Sequence, residues 1–251
     1  MQKIVACALH KFGDNIGVAG GLSQLRDVDI HVCVKKLYED AFYNVPNISK
    51  IINCESSQQA HIYASENNMR FIELTNQFLG HTRFDKLHYT PVDALRGQGF
   101  DYVVPKCGFW PTEQELSKSD SYSFDKPLLG IEATHTSDQS FLRPEDFSPL
   151  IRKMSSTHRI LWLSHNNHPP EHIIQKYNID LLTGWTRREV CCLFPKIDLF
   201  VSVMSGLYWA SKCFERVPNT VAVCTENWQK WAEDTNTKFF NDKVSFLNWC
   251  L

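Results

Sequence analysis

The sequence predicts an α/β protein made of two doubly wound parallel sheets, and three observations point there. Short apolar or β-branched runs alternate with helix-patterned segments along most of the chain, as strand–helix–strand units do. A polar, Ser-rich stretch at residues 117–127, closed by Pro127, breaks the alternation and reads as a linker. The alternation then restarts, so one unit is expected over residues 1–120 and a second over residues 128–251.

In the first unit, residues 4–9, 30–34 and 50–54 are strand candidates, each followed by a segment that suits a helix. Residues 100–104 form a further candidate strand, and residues 71–99 carry no clear pattern. The second unit reads more sharply. Strands are expected at 128–133, 160–164, 180–183, 199–203 and 220–224, with helices at 144–155, 170–177, 187–194 and 207–214. Thr186 and Glu189 make a capping box at the third of these helices, while Pro144 and Pro170 suit first-turn positions. A last helix from about residue 227 carries Trp228, Trp231, Phe239, Phe240, Phe246 and Trp249, which are expected to pack back on the first unit. Tandem sheets of this kind leave a central cleft between the carboxyl ends of their strands, where ligands bind.

Composition narrows the function classes. With 251 residues, 43% hydrophobic and 22% charged, the chain has enough apolar material for a full core, which excludes intrinsic disorder. A net charge of −2 argues against a broad nucleic-acid face, since neutralising phosphates calls for clustered Lys and Arg. No run approaches the roughly 20 apolar residues of a spanning helix, and the first residues do not form a secretory leader. A cytoplasmic location is therefore expected. The nine cysteines are odd in number and several sit in strand-like runs, so they are expected to be buried free thiols. The paired C-x-x-C spacing of a zinc site is absent, and no metal is expected.

Two segments carry a family resemblance. Lys11-Phe12-Gly13-Asp14-Asn15-Ile16-Gly17 follows the first strand. Asp198-Leu199-Phe200-Val201-Ser202-Val203-Met204-Ser205-Gly206-Leu207-Tyr208-Trp209-Ala210 spans a later strand and its turn. The first resembles the strand–turn–helix opening of glycosyltransferase family 9, the ADP-heptose:lipopolysaccharide heptosyltransferases. The second is similar to that family's V-S-V-D-[ST]-G-x-x-H strand and turn. Gly99-Phe100-Asp101-Tyr102-Val103-Val104, and Ile131-Glu132-Ala133-Thr134-His135 followed by Pro144-Glu145-Asp146-Phe147, add similar segments in the same order. The resemblance implies a GT-B fold, two Rossmann-like domains facing a central cleft, in a short and divergent member.

It also implies roles. Inverting glycosyl transfer needs a base for the acceptor hydroxyl and groups that hold the departing nucleoside diphosphate. Asp14 matches the family's proposed base; the same residue also suits a turn or helix-start aspartate. Gly13, Thr134 and His135 fall with donor-contacting positions. Ser205 and Gly206 open a helix whose free amides suit a diphosphate, or merely cap it. Trp185 stands where the family holds its nucleobase, a place that also suits a core Trp. Arg143 replaces an expected lysine as a phosphate-pairing charge, or is a surface arginine. Met204 and Trp209 stand where the family has an acidic residue and a His.

The expected function is inverting, metal-independent transfer of a sugar from a nucleotide-sugar donor to a glycan or other hydroxyl acceptor, with no cofactor beyond the donor. The alternatives are sugar transfer to a modified DNA base by a viral enzyme of this architecture, a hydrolase or epimerase of nucleotide sugars, and a non-catalytic protein that binds a nucleotide sugar or a partner. Nucleic acid is the less favoured partner, given the mild acidity.

Overall fold

The computed structural model of the chain describes residues 1–75, 89–122, 124–133, 141–164, 167–229 and 236–251. The chain forms two compact units, Met1–Thr112 and Glu113–Leu251.

The first unit holds a four-stranded sheet of β1 (Gln2–Cys7), β2 (Val28–Val34), β3 (Ile48–Asn53) and β4 (Arg70–Glu73), every pair parallel, in the order β3-β2-β1-β4. β1 lies inside the sheet and buries Ile4, Val5, Ala6 and Cys7 consecutively, the continuous apolar run of a parallel strand covered on both faces. The helices are α1 (Phe12–Leu22), α2 (Ser57–Glu66) and α3 (Tyr89–Arg96). Ser56 starts α2 by accepting the Gln59 amide at 3.3 Å.

All of α1 is buried except Asp14, which is only partly covered. Its glycines let another stretch of chain cross it closely: the Gly108 amide donates to the Ile16 carbonyl at 3.1 Å, and a Cβ at Gly20 would lie 1.8 Å from the Lys106 carbonyl oxygen. Residues 100–104 do not form the expected strand. Gly99 at φ 91° ends the helical pattern, and Val103 donates back to the Phe100 carbonyl at 3.1 Å, so the segment is a turn. β4 escaped the sequence pattern because only Phe71 and Ile72 lie between the charged Arg70 and Glu73.

The second unit begins with α4 (Glu113–Asp120), which takes up the first residues of the expected linker. Glu113 and Glu115 in its first turn and Lys118 in its last suit the helix dipole. It packs on α7 (Arg187–Cys191), where the buried Arg188 fork meets both oxygens of Glu115 at 2.6 and 3.0 Å, and Ser119 donates to the Cys192 carbonyl at 3.0 Å.

The second sheet has six parallel strands: β5 (Leu128–Glu132), β6 (Arg159–Trp162), β7 (Asp180–Leu181), β8 (Leu199–Val203), β9 (Asn219–Val223) and β10 (Thr237–Phe240). Their order is β10-β9-β8-β5-β6-β7. The chain starts in the middle, winds outward one way to β7, returns to β8 and winds the other way. This is the doubly wound order of dinucleotide-binding folds, and its switch point lies between β5 and β8. The remaining helices are α5 (Ser148–Met154), α6 (Glu171–Tyr177), α8 (Gly206–Ala210), α9 (Glu226–Gln229) and α10 (Lys243–Cys250).

The single closing helix expected from residue 227 is instead α9, β10 and α10. The aromatic run Phe239–Phe240 supplies a strand, and Asp242 restarts the helix by accepting the Ser245 amide at 2.8 Å. Phe240, Phe246 and Trp249 join the second unit's own core with Phe147 and Trp162; Trp231 lies outside the described residues. Among the described residues no helix is long and apolar enough to cross a membrane.

Candidate functional site

In the first sheet the winding reverses between β1 and β4, and the chain leaving β1 is fixed there by the end of β4. The Leu9 amide donates to the Thr75 hydroxyl at 2.8 Å, which donates to the Cys7 carbonyl at 3.2 Å. His10 Nε2 lies 3.1 Å from the Leu74 carbonyl oxygen. Glu73 holds this corner together by accepting from the Thr75 amide at 2.8 Å and from the Ser57 hydroxyl. From this corner α1 starts, with Asn15 Nδ2 donating to the His10 carbonyl at 3.2 Å and the Asn15 amide to the Lys11 carbonyl at 3.1 Å.

Gly13 and Asp14 thus occupy the first turn of α1 at the switch point of their sheet. Gly13 is buried. Burial raises the Asp14 carboxyl above the ordinary carboxylate range, while the His10 charge, the Lys11 amide and the Lys11 charge pull it back. A carboxylate made more basic at the carboxyl end of a sheet can take a proton. Asn15 has no exposed surface, and its Oδ1 lacks a hydrogen-bond partner among the described residues.

At the second sheet's switch point, β8 runs into Met204, Ser205 and α8. Ser205 caps α8, accepting the Leu207 amide at 3.2 Å, and Gly206 is the first helical residue. Met204 and Trp209 are buried, with Trp209 edge-on to Tyr208 at 5.1 Å. Both are packing residues, which accounts for apolar side chains where the resembled family has an acid and a His.

The other expected donor contacts fare differently. Thr134 and His135 lie outside the described residues. Arg143 is exposed, and its amide donates to Asp146 Oδ2 at 2.9 Å at the head of the turn before α5. Trp185 is partly buried, its ring engaged by Lys118 Nζ 4.8 Å from the centroid and by Tyr122 edge-on at 5.4 Å. Lys118 also pairs with Glu189 at 2.7 Å, the acid that closes the Thr186 capping box.

Sequence reasoning passed over a buried carboxylate. Glu132 ends β5 opposite Ser202 of β8, and it is 3% exposed. Ser164 donates to it at 3.1 Å and accepts the Ala133 amide at 2.8 Å. The signal was an acid closing the otherwise apolar run Leu128–Glu132. Among the described residues no group of three or more His, Cys, Asp and Glu side chains is arranged to hold a metal ion.

Two tandem parallel sheets, the second in dinucleotide-binding order, define the GT-B class of α/β architecture. No family model and no curated protein matches the chain, but solved structures do. A glycosyl transferase family 9 protein from Veillonella parvula DSM 2008 superposes with TM-score 0.71 at 14% identity, over 98% of this chain and 87% of that one. The E. coli ADP-heptose LPS heptosyltransferase II gives 0.65 at 13% identity, over 96% and 90%. The E. coli heptosyltransferase WaaC with ADP gives 0.68 at 9% identity, over the whole of both chains. At these identities the likeness establishes the fold.

Proposed function

We propose that the chain is an inverting glycosyltransferase that moves a sugar from a nucleotide-sugar donor to the hydroxyl of a glycan or similar acceptor. The observation that carries the reading is the position of Asp14, a carboxyl raised by burial in the first helical turn at a sheet's switch point. In this reading Asp14 takes the acceptor's proton as its oxygen attacks the anomeric carbon. The sugar–phosphate bond breaks, and its electron pair leaves on the diphosphate. The second unit takes the donor at the turn after β8, where Ser205 and Gly206 begin α8 and the sheet reverses its winding. That a structurally similar heptosyltransferase was solved with ADP supports a nucleoside diphosphate leaving group. The metal-independent mechanism and the cytoplasmic location belong to the same proposal.

The test combines thermal shift with turnover. ADP-, UDP-, GDP- and CMP-sugars are screened for a rise in melting temperature, and the best donor is offered with and without acceptors. Asp14→Asn should keep the ligand-induced shift and lose transfer; retention of full transfer in that variant refutes the base assignment. One observation favours a second reading, a nucleotide-sugar-binding protein without turnover: the packed Met204 and Trp209 offer no charged donor contacts. That protein would show the shift and no transfer in the unaltered chain.

A further inference from the structure

Among the buried residues of α1 only Asn15 is polar; Phe12, Ile16, Val18, Ala19 and Leu22 along the same helix are apolar. It has no exposed surface, and its Oδ1 finds no hydrogen-bond partner among the described residues. A stranded acceptor lowers stability, and a leucine of the same branched skeleton would avoid it. The other end of the amide explains its presence. Asn15 Nδ2 donates to the His10 carbonyl at 3.2 Å, and the Asn15 main-chain amide donates to the Lys11 carbonyl at 3.1 Å. One residue thus closes the turn over residues 11–14 twice. A carbonyl only accepts, so Nδ2 must face it, and Oδ1 is left on the other branch of the amide without a donor.

The turn is also anchored on both sides. Before it, His10 Nε2 lies 3.1 Å from the Leu74 carbonyl oxygen, and the Leu9 amide donates to the Thr75 hydroxyl at 2.8 Å. After it, the Ile16 carbonyl accepts the Gly108 amide at 3.1 Å. Asp14 sits between these ties, next to Asn15 in the chain and only partly covered.

We propose that Asn15 is a positioning residue for Asp14: its side-chain amide clamps the His10 carbonyl, so that the first turn of α1 keeps the Asp14 carboxyl at the switch point of the sheet. In transfer, the acceptor proton passes to the Asp14 carboxylate, and no bond to Asn15 forms or breaks. Asn15 contributes geometry alone. A reacting group displaced by about 1 Å can lose on the order of 100-fold in rate, which is why a buried amide is kept where packing by itself would favour an apolar side chain.

This role rests on Asp14 as the base, yet one of its readouts needs no turnover. Protein labelled with 13C at aspartate carboxyls is titrated by NMR, with Asp14 assigned by its loss in Asp14→Asn. Burial is the largest influence on the Asp14 carboxyl and raises it, so a turn that loosens and admits water should lower its midpoint. In Asn15→Leu the midpoint should fall by about 0.5 pH unit or more, while the melting temperature stays within about 3 °C of the unaltered protein. For transfer, kcat should drop at least about tenfold with the donor KM unchanged. Asn15→Val, less bulky and equally unable to donate, takes its place if leucine overpacks the site. An unchanged midpoint, an unchanged kcat, or a midpoint that falls only in variants melting lower than that margin overturns the proposal. If the midpoint falls as stated while the unaltered chain turns over no nucleotide sugar, the positioning stands and the base assignment alone falls.

Discussion

Ser164 ties the ends of β5 and β6 together, its hydroxyl donating to Glu132 Oε1 at 3.1 Å while accepting the Ala133 amide at 2.8 Å. All three groups are buried, so water cannot replace the serine. Ser164→Ala should cost about 2 kcal/mol, the usual penalty for stranding a buried donor and weakening the support of a buried acceptor. Urea unfolding reads the loss, and a midpoint equal to that of the unaltered protein contradicts it.

Asp14 makes a prediction about pH. Its carboxyl is raised in the folded state, so the neutral form is the one the fold prefers. A raised acid contributes fully below its unfolded value, near 3.9, and that contribution disappears as pH climbs through the folded value. Asp14→Asn should therefore melt higher than the unaltered chain at pH 7 to 8, with the gap closing in acid. A variant that melts lower at neutral pH would show that the carboxylate is stabilised rather than strained.

Close contact at α1 gives a sharper mutation. A Cβ at Gly20 meets backbone, with the Lys106 oxygen at 1.8 Å and its carbon at 2.6 Å, and no rotation of a side chain relieves that. Gly20→Ala should destabilise the first unit by about 2 kcal/mol or more through overpacking. Gly97→Ala, where the nearest atom is at 3.4 Å, is the matched control and should be mild. Similar chemical denaturation of the two variants would count against the close crossing.

The Arg188–Glu115 pair separates desolvation from attraction. Arg188 is 4% exposed, and its Nε and Nη2 donate to the two oxygens of Glu115 at 2.6 and 3.0 Å. Glu115→Ala leaves a buried guanidinium without its carboxylate and should cost about 3–5 kcal/mol. Replacing both residues with Leu should recover much of that loss. A double variant less stable than Glu115→Ala would mean that the charges are required by something other than each other.

The second sheet was readable because its strands are compact apolar runs set off by Pro, a capping box and short polar turns; residues 199–203 coincide with β8. The closing helix was misread because Phe239 and Phe240 fit an apolar helical stripe as well as a strand, and only the partner strand β9 decides between them. The turn at residues 100–104 failed for the reverse reason: its residues favour extended structure, but Gly99 at φ 91° and the Val103-to-Phe100 turn bond overrule them. The position of Asp14 in the first turn of α1 followed from strand–turn–helix order, while its role as a base comes from the family resemblance. His10, Glu132 and Ser164 acquire meaning only through neighbours 64, 70 or 32 residues away, a distance at which local pattern is silent.

Seven of the nine thiols are buried: Cys7, Cys33 and Cys54 in the first unit, and Cys191, Cys192, Cys224 and Cys250 in the second. Burial pushes Cys7, Cys192 and Cys224 up to about 12 and Cys250 to about 11. An alkylating reagent consumes only thiolate, so in the folded protein Cys7, Cys192, Cys224 and Cys250 are nearly invisible to it and become reactive when the polypeptide around them opens. Each half of the chain therefore carries its own unfolding clock, and mass spectrometry of the modified peptides can tell which half lets go first.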